Sequence, residues 1–79
     1  MLFRLSHVMP NPYSLKLVVR ILEKKGFFLV SQKGSHAKYR KEETTVIVPI
    51  HGKEIPYGTF RSILRQSNLS EDDFNKNNK

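Results

Sequence analysis

The sequence predicts an α+β fold: a helix, a three-stranded antiparallel sheet and a second helix, with both helices packed on one face of the sheet. Three observations carry this. Leu15, Val18, Val19 and Leu22 recur at i, i+3, i+4 and i+7, which makes one apolar helix face. Three short strand-like segments follow, separated by turn signals. Helical spacing then returns with Phe60, Ile63 and Leu64. Strands joined by short turns form a meander, and such a sheet tolerates one wet face. Two amphipathic helices should therefore share the other.

Each element has a local reason. Asn11-Pro12 reads as a helix start, with Asn as N-cap and Pro at the first helical position. Lys24 and Lys25 suit the negative end of that helix, and Gly26 suits the residue just past it. Phe27-Phe28-Leu29-Val30 is aromatic and branched, hence a strand. Gly34-Ser35 marks a turn. From His36 to Arg40 the residues alternate: His36, Lys38 and Arg40 point one way, Ala37 and Tyr39 the other. Lys41-Glu42-Glu43-Thr44 is a polar turn, and Thr45-Val46-Ile47-Val48 is a third strand stopped by Pro49. Residues 49–58 read as a Pro/Gly-rich loop, and Thr59 as the cap of the second helix. Asn68 suits a left-handed stop, and Ser70 with Asp73 resembles a capping box for a final turn around Phe74.

The chain has 79 residues, which sets one domain as the ceiling: a leader over 1–10, a core over 11–74 and a frayed tail over 75–79. It contains no cysteine, so neither a disulfide framework nor a cysteine zinc site can staple it. The longest hydrophobic run is Phe27-Phe28-Leu29-Val30, too short for a membrane span or a signal-peptide core. The expectation is a soluble, cytoplasmic protein. Net charge is +7. Residues 1–69 hold twelve basic and four acidic side chains, while residues 70–79 hold two and three. An excess of that size in so small a domain points to a polyanionic partner, with nucleic acid the commonest.

Among the three histidines, His7 has no neighbouring pattern and His51 lies in the Pro/Gly loop. His36 differs, because it opens a strand beside a Gly-Ser turn, in a row of cations. It reads either as a strand histidine that only contacts an anion or as a group that does chemistry on one. RNA carries its own nucleophile, the 2′-hydroxyl beside each phosphate. An enzyme need only take that proton, protonate the leaving oxygen and stabilise the charged phosphorane. Histidine titrates near neutrality and suits either proton transfer. Lys33, Lys38 and Arg40 are placed to hold the phosphate and its developing charge. One histidine leaves a second proton carrier to be found; the candidates are Tyr39 if the strand twists, Lys38, or His51 brought in by its loop. No acidic residues recur at metal-ligand spacing; Glu42 and Glu43 are neighbours in a turn. Ser35 beside His36 is no protease signal, since adjacent strand residues face opposite ways.

Taken together, these segments resemble the HicA family of mRNA-interferase toxins. The likeness is carried by "LEKKGFFLVSQKGSHAKYRK", "VIVPIHGKEIPYGTFRSILRQSNL" and "SEDDF", in family order over about residues 13–74. The resemblance implies a fold similar to double-stranded-RNA-binding domains, an α-β-β-β-α sandwich. It implies cleavage of mRNA with His36 as the catalytic residue; the acidic residues, for their part, point away from metal catalysis, and no cofactor is expected. Lys33, Gly34, Ser35, Lys38, Arg40 and Lys53 are the expected RNA contacts, with Gly34-Ser35 as the turn that presents the histidine. It implies a HicB-type antitoxin that binds the toxin and obstructs the site. The family commonly ends its second helix in Ala-Gly where this chain has Ser67-Asn68. The fold likeness also keeps a second class in play, a non-catalytic RNA-binding module that reads shape and backbone.

Overall fold

A computed structural model describes residues 13–76. The elements are β1 (Tyr13–Ser14), α1 (Leu15–Lys24), β2 (Phe28–Lys33), β3 (His36–Lys41), β4 (Thr44–Pro49), β5 (Glu54–Ile55), α2 (Tyr57–Ser67) and α3 (Glu71–Lys76). The expected order of helix, three strands and helix holds. β2, β3 and β4 form an antiparallel sheet in that spatial order, and β1 pairs with β5 in a separate two-stranded ribbon. The expected leader and most of the expected tail lie outside the described residues.

Alternation divides the sheet into two faces. Ala37 and Tyr39 of β3 and Val46 and Val48 of β4 are buried in one core with Val18, Ile21 and Leu22 of α1 and Phe60 and Ile63 of α2. One face is thus covered by helices. α2 also lies along the outer edge of β4, where the Ile47 N–H donates to Gln66 Oε1 at 2.9 Å. That bond occupies a backbone donor that would otherwise stand on an open sheet edge.

The helix ends show what local chemistry decides. α1 starts at Leu15, and its cap is Ser14, whose Oγ accepts the Leu17 N–H at 3.1 Å. The cap expected at Asn11-Pro12 is therefore corrected: Tyr13 and Ser14 are extended because they pair with Ile55 and Glu54. At the other end the Gly26 N–H donates to the Glu23 carbonyl and the Phe27 N–H to the Leu22 carbonyl. This is a Schellman stop, made possible by a Gly26 φ of +101°. The second cap also differs from expectation. α2 begins at Tyr57 with Pro56 as N-cap and no side-chain cap, so Thr59 lies within the first turn. Asn68 is left-handed as expected, with φ +65°. Ser67 is buried yet satisfied, donating to the Leu64 carbonyl and accepting the Leu69 N–H.

An aromatic cluster joins the terminal elements. Tyr13 stacks on Phe60 with centroids 3.9 Å apart, and Phe74 meets Phe60 edge-on at 5.0 Å. Burial, reinforced by the Glu71 charge, pushes the Tyr13 phenol pKa up. Asp73 holds α3 in place: its carboxylate accepts the Ser70 N–H at 2.8 Å and faces Lys25 Nζ at 3.3 Å.

Both features can be tested by substitution. Phe60→Ala removes the fully buried ring on which Tyr13 and Phe74 rest, and should cost about 3–5 kcal/mol in chemical denaturation. The Ser70 N–H, followed by Lys25, holds Asp73 below the usual carboxylate range. A depressed pKa stabilises the fold above its unfolded value and loses that contribution as pH falls through the folded value. Acid titration of thermal stability should therefore be less steep in Asp73→Asn than in the parent.

Candidate active site

The uncovered face is built by β3 and its two neighbours. In antiparallel pairing, directly opposite residues share a face. His36 lies opposite Lys33 on β2 and Pro49 on β4; Lys38 opposite Ser31 and Ile47; Arg40 opposite Phe28 and Thr45. His36, Lys33, Lys38 and Arg40 are all exposed. Their strand neighbours Ala37 and Tyr39 point into the core, at 1% and 6% exposure. The cationic row and the hydrophobic core are thus the two sides of one strand.

The hairpin turn fixes the position of the histidine. Lys33 pairs with His36, which leaves Gly34 and Ser35 as the two turn residues. Gly34 has a φ of +56°, a positive value that a two-residue hairpin turn needs and that glycine meets without strain. The Ser35 carbonyl accepts the Ile50 N–H at 2.7 Å, which ties the turn to the chain leaving β4. His51 follows Ile50 directly and is exposed, so the sheet end that bears His36 is also where the chain carries His51. Lys53 is exposed in the same loop, and its carbonyl accepts the Leu15 N–H at 2.9 Å.

The topology therefore brings Lys33, Gly34, Ser35, His36, Lys38 and Arg40 onto one hairpin, with Lys53 on the adjoining loop. It does not bring Tyr39 to them. That side chain lies on the covered face, where burial and then the Glu23 charge push its phenol pKa up. Strand parity thus overturns Tyr39 as a second proton carrier and leaves Lys38 and His51. Sequence reasoning passed over Phe28, which pairs with Arg40 and lies on this face at 59% exposure. What places it there is a bulge between Leu29 and Ser31, which has no signature in the sequence. Glu42 and Glu43 form the turn at the far end of the β3–β4 hairpin. Among the described residues, no three His, Asp or Glu side chains gather into a cluster that could hold a metal ion. Nor is any helix among them long and apolar enough to cross a membrane.

An α-β-β-β-α sandwich with helices on one sheet face has the arrangement of double-stranded-RNA-binding domains. Within that class, a family model described as the HicA toxin of bacterial toxin–antitoxin systems matches residues 16–69. The chain belongs to the HicA toxin family. No curated protein matches it. The matched span takes in nearly all of α1, the three strands of the main sheet and α2.

The turn can be tested by itself. A Cβ on Gly34 would meet nothing within 4 Å, so the cost of Gly34→Ala is conformational alone. It should lower stability by about 1–2 kcal/mol in chemical denaturation. A value near zero would mean that the turn tolerates an ordinary side chain and does not need glycine to present His36.

Proposed function

We propose that this chain is the toxin of a toxin–antitoxin pair and acts as an endoribonuclease on mRNA, with His36 as the proton-transfer group. The observation that carries the reading is an exposed histidine at the end of a row of cations, on the sheet face that no helix covers. Membership of the HicA family supports the same conclusion.

The chemistry asks little of the protein. Lys33, Lys38 and Arg40 bind the phosphodiester and offset the charge that builds on its oxygens. His36 takes the proton of the 2′-hydroxyl as that oxygen attacks the adjacent phosphorus. The P–O5′ bond breaks as the new P–O2′ bond forms, and a proton passes to the departing 5′-oxygen. The donor is Lys38 or His51, the two remaining candidates. The products are a 2′,3′-cyclic phosphate and a free 5′-hydroxyl. This route uses groups that the hairpin and its adjoining loop already carry and calls for no metal. Gly34 and Ser35 serve by shaping the turn, and Lys53 extends the positive surface beyond it. A HicB-type antitoxin would neutralise the activity by seating acidic groups on this face.

In His36→Ala, cleavage of single-stranded RNA should fall about 10²–10⁴-fold while binding is largely kept. Fragments should end in 2′,3′-cyclic phosphate, and a 2′-deoxy nucleotide at the cut should block it. Lys38→Ala and Arg40→Ala should each reduce the slope of log affinity against log salt by about 0.7. If the parent chain, free of antitoxin, binds RNA and never cuts it, the module is a binder and His36 only contacts phosphate.

A further inference from the structure

Phe28, Leu29 and Val30 are the large hydrophobic residues that the described chain leaves exposed, at 59%, 49% and 41%. They are consecutive but do not form one patch. Phe28 pairs with Arg40 and so faces the cationic side; Leu29 pairs with Tyr39 and so projects from the side the helices cover. Alternation alone separates neighbours such as Phe28 and Leu29; the bulge decides which of the two faces the cations. Phe28 and Lys33 are an odd number of residues apart, and in a regular strand they would point to opposite faces. One extra residue between Leu29 and Ser31 resets the alternation, so that both Phe28 and Lys33 lie on the face of His36.

The neighbours of Phe28 on that face are Arg40 directly opposite and Ser31 and Lys38 beyond it. An aromatic ring held in water among cations is poorly explained by packing. It is well suited to the flat face of a nucleobase, with guanidinium and ammonium groups left for the phosphates on either side. The spacing also fits. From His36 to Arg40 the strand advances about 13 Å, the span of a few nucleotides. Lys38 lies between them to hold the intervening backbone.

We propose that Phe28 is a stacking platform for one unpaired nucleotide of the RNA, a few nucleotides from the phosphate that His36 acts on. This rests on the ribonuclease reading and adds a substrate class to it. A base inside a duplex already stacks on its neighbours and has no free face, so the site selects single-stranded RNA. The competing occupant of Phe28 is a protein. Parity separates the ring from Leu29 and leaves Arg40 and Lys38 as its charged neighbours, which favours a polyanion over an apolar protein surface there.

The chain contains no tryptophan, so Phe28→Trp supplies a unique fluorescent reporter. The experiment is made in the His36→Ala protein, which keeps the RNA intact. Single-stranded RNA should quench the indole of the Phe28→Trp variant, and a duplex of the same sequence should not. An abasic site at one position of the single strand should remove the quench. Phe28→Leu should bind single-stranded RNA about 5- to 100-fold more weakly, with an unchanged salt slope, and Phe28→Tyr should restore affinity. The ring is more than half exposed, so all three variants should unfold at the parent temperature. The proposal is overturned if Phe28→Leu binds single-stranded RNA as the parent does, or if duplex quenches equally. It is equally overturned if Phe28→Leu loses affinity only for the antitoxin. If the His36→Ala protein with Phe28 intact binds no RNA at all, the ribonuclease reading itself fails, which is a different result from loss confined to Phe28.

Discussion

Period-two alternation along β3 ties the core of this protein to its candidate site. Ala37 and Tyr39 enter the core because His36, Lys38 and Arg40 do not, and neither set can move without the other. A three-stranded sheet in a chain of 79 residues has few elements to cover it. Here α1 and α2 both pack on one side. The other side stays in water, and the hydrophobic demand of the covered side holds its register in place. A slip of one residue would bury His36, Lys38 and Arg40 and expose Tyr39, a cost no surface contact could offset. The position of His36 is thus enforced by the stability of the fold.

The second determinant is at the ends of the hairpin. Gly34 sets the turn, and the Ser35–Ile50 bond holds the turn against the chain that leads to His51 and Lys53. The aromatic cluster of Tyr13, Phe60 and Phe74 acts further off, joining β1, α2 and α3. Phe60 is the hub of that cluster and is itself buried in the core beneath the sheet. The two sides divide the work: helices and aromatics stabilise one, and the hairpin presents polar groups on the other.

Much of this was legible in the sequence, for a physical reason. Helix periodicity, the Gly26 stop, the Gly34-Ser35 turn, the left-handed Asn68 and the alternation from His36 to Arg40 are all local signals. The parts that were not legible depend on residues distant in the chain. Asn11-Pro12 is as good a cap as Ser14 until β5 pairs with Tyr13 and Ser14 and holds them extended. Thr59 is a sound cap by itself, yet α2 starts two residues earlier at Tyr57. The bulge in β2 is the clearest case. Phe27-Phe28-Leu29-Val30 reads as one apolar run, whereas Phe27 is buried, Phe28 and Leu29 take opposite faces, and Val30 is the extra residue. Tyr39 fails as a proton carrier because no twist of β3 brings it off the face that alternation assigns, and its side chain lies in the core.

The central proposal is that RNA lies on the uncovered face of the β2–β3–β4 sheet. Backbone amide shifts of the His36→Ala protein, followed as single-stranded RNA is added, test it most directly. Changes should concentrate at Phe28, Lys33, residue 36, Lys38 and Arg40, with smaller ones at Thr45 and Ile47. Changes centred instead on α2, around Arg61 and Arg65, would put the RNA on the helical side and contradict the proposal.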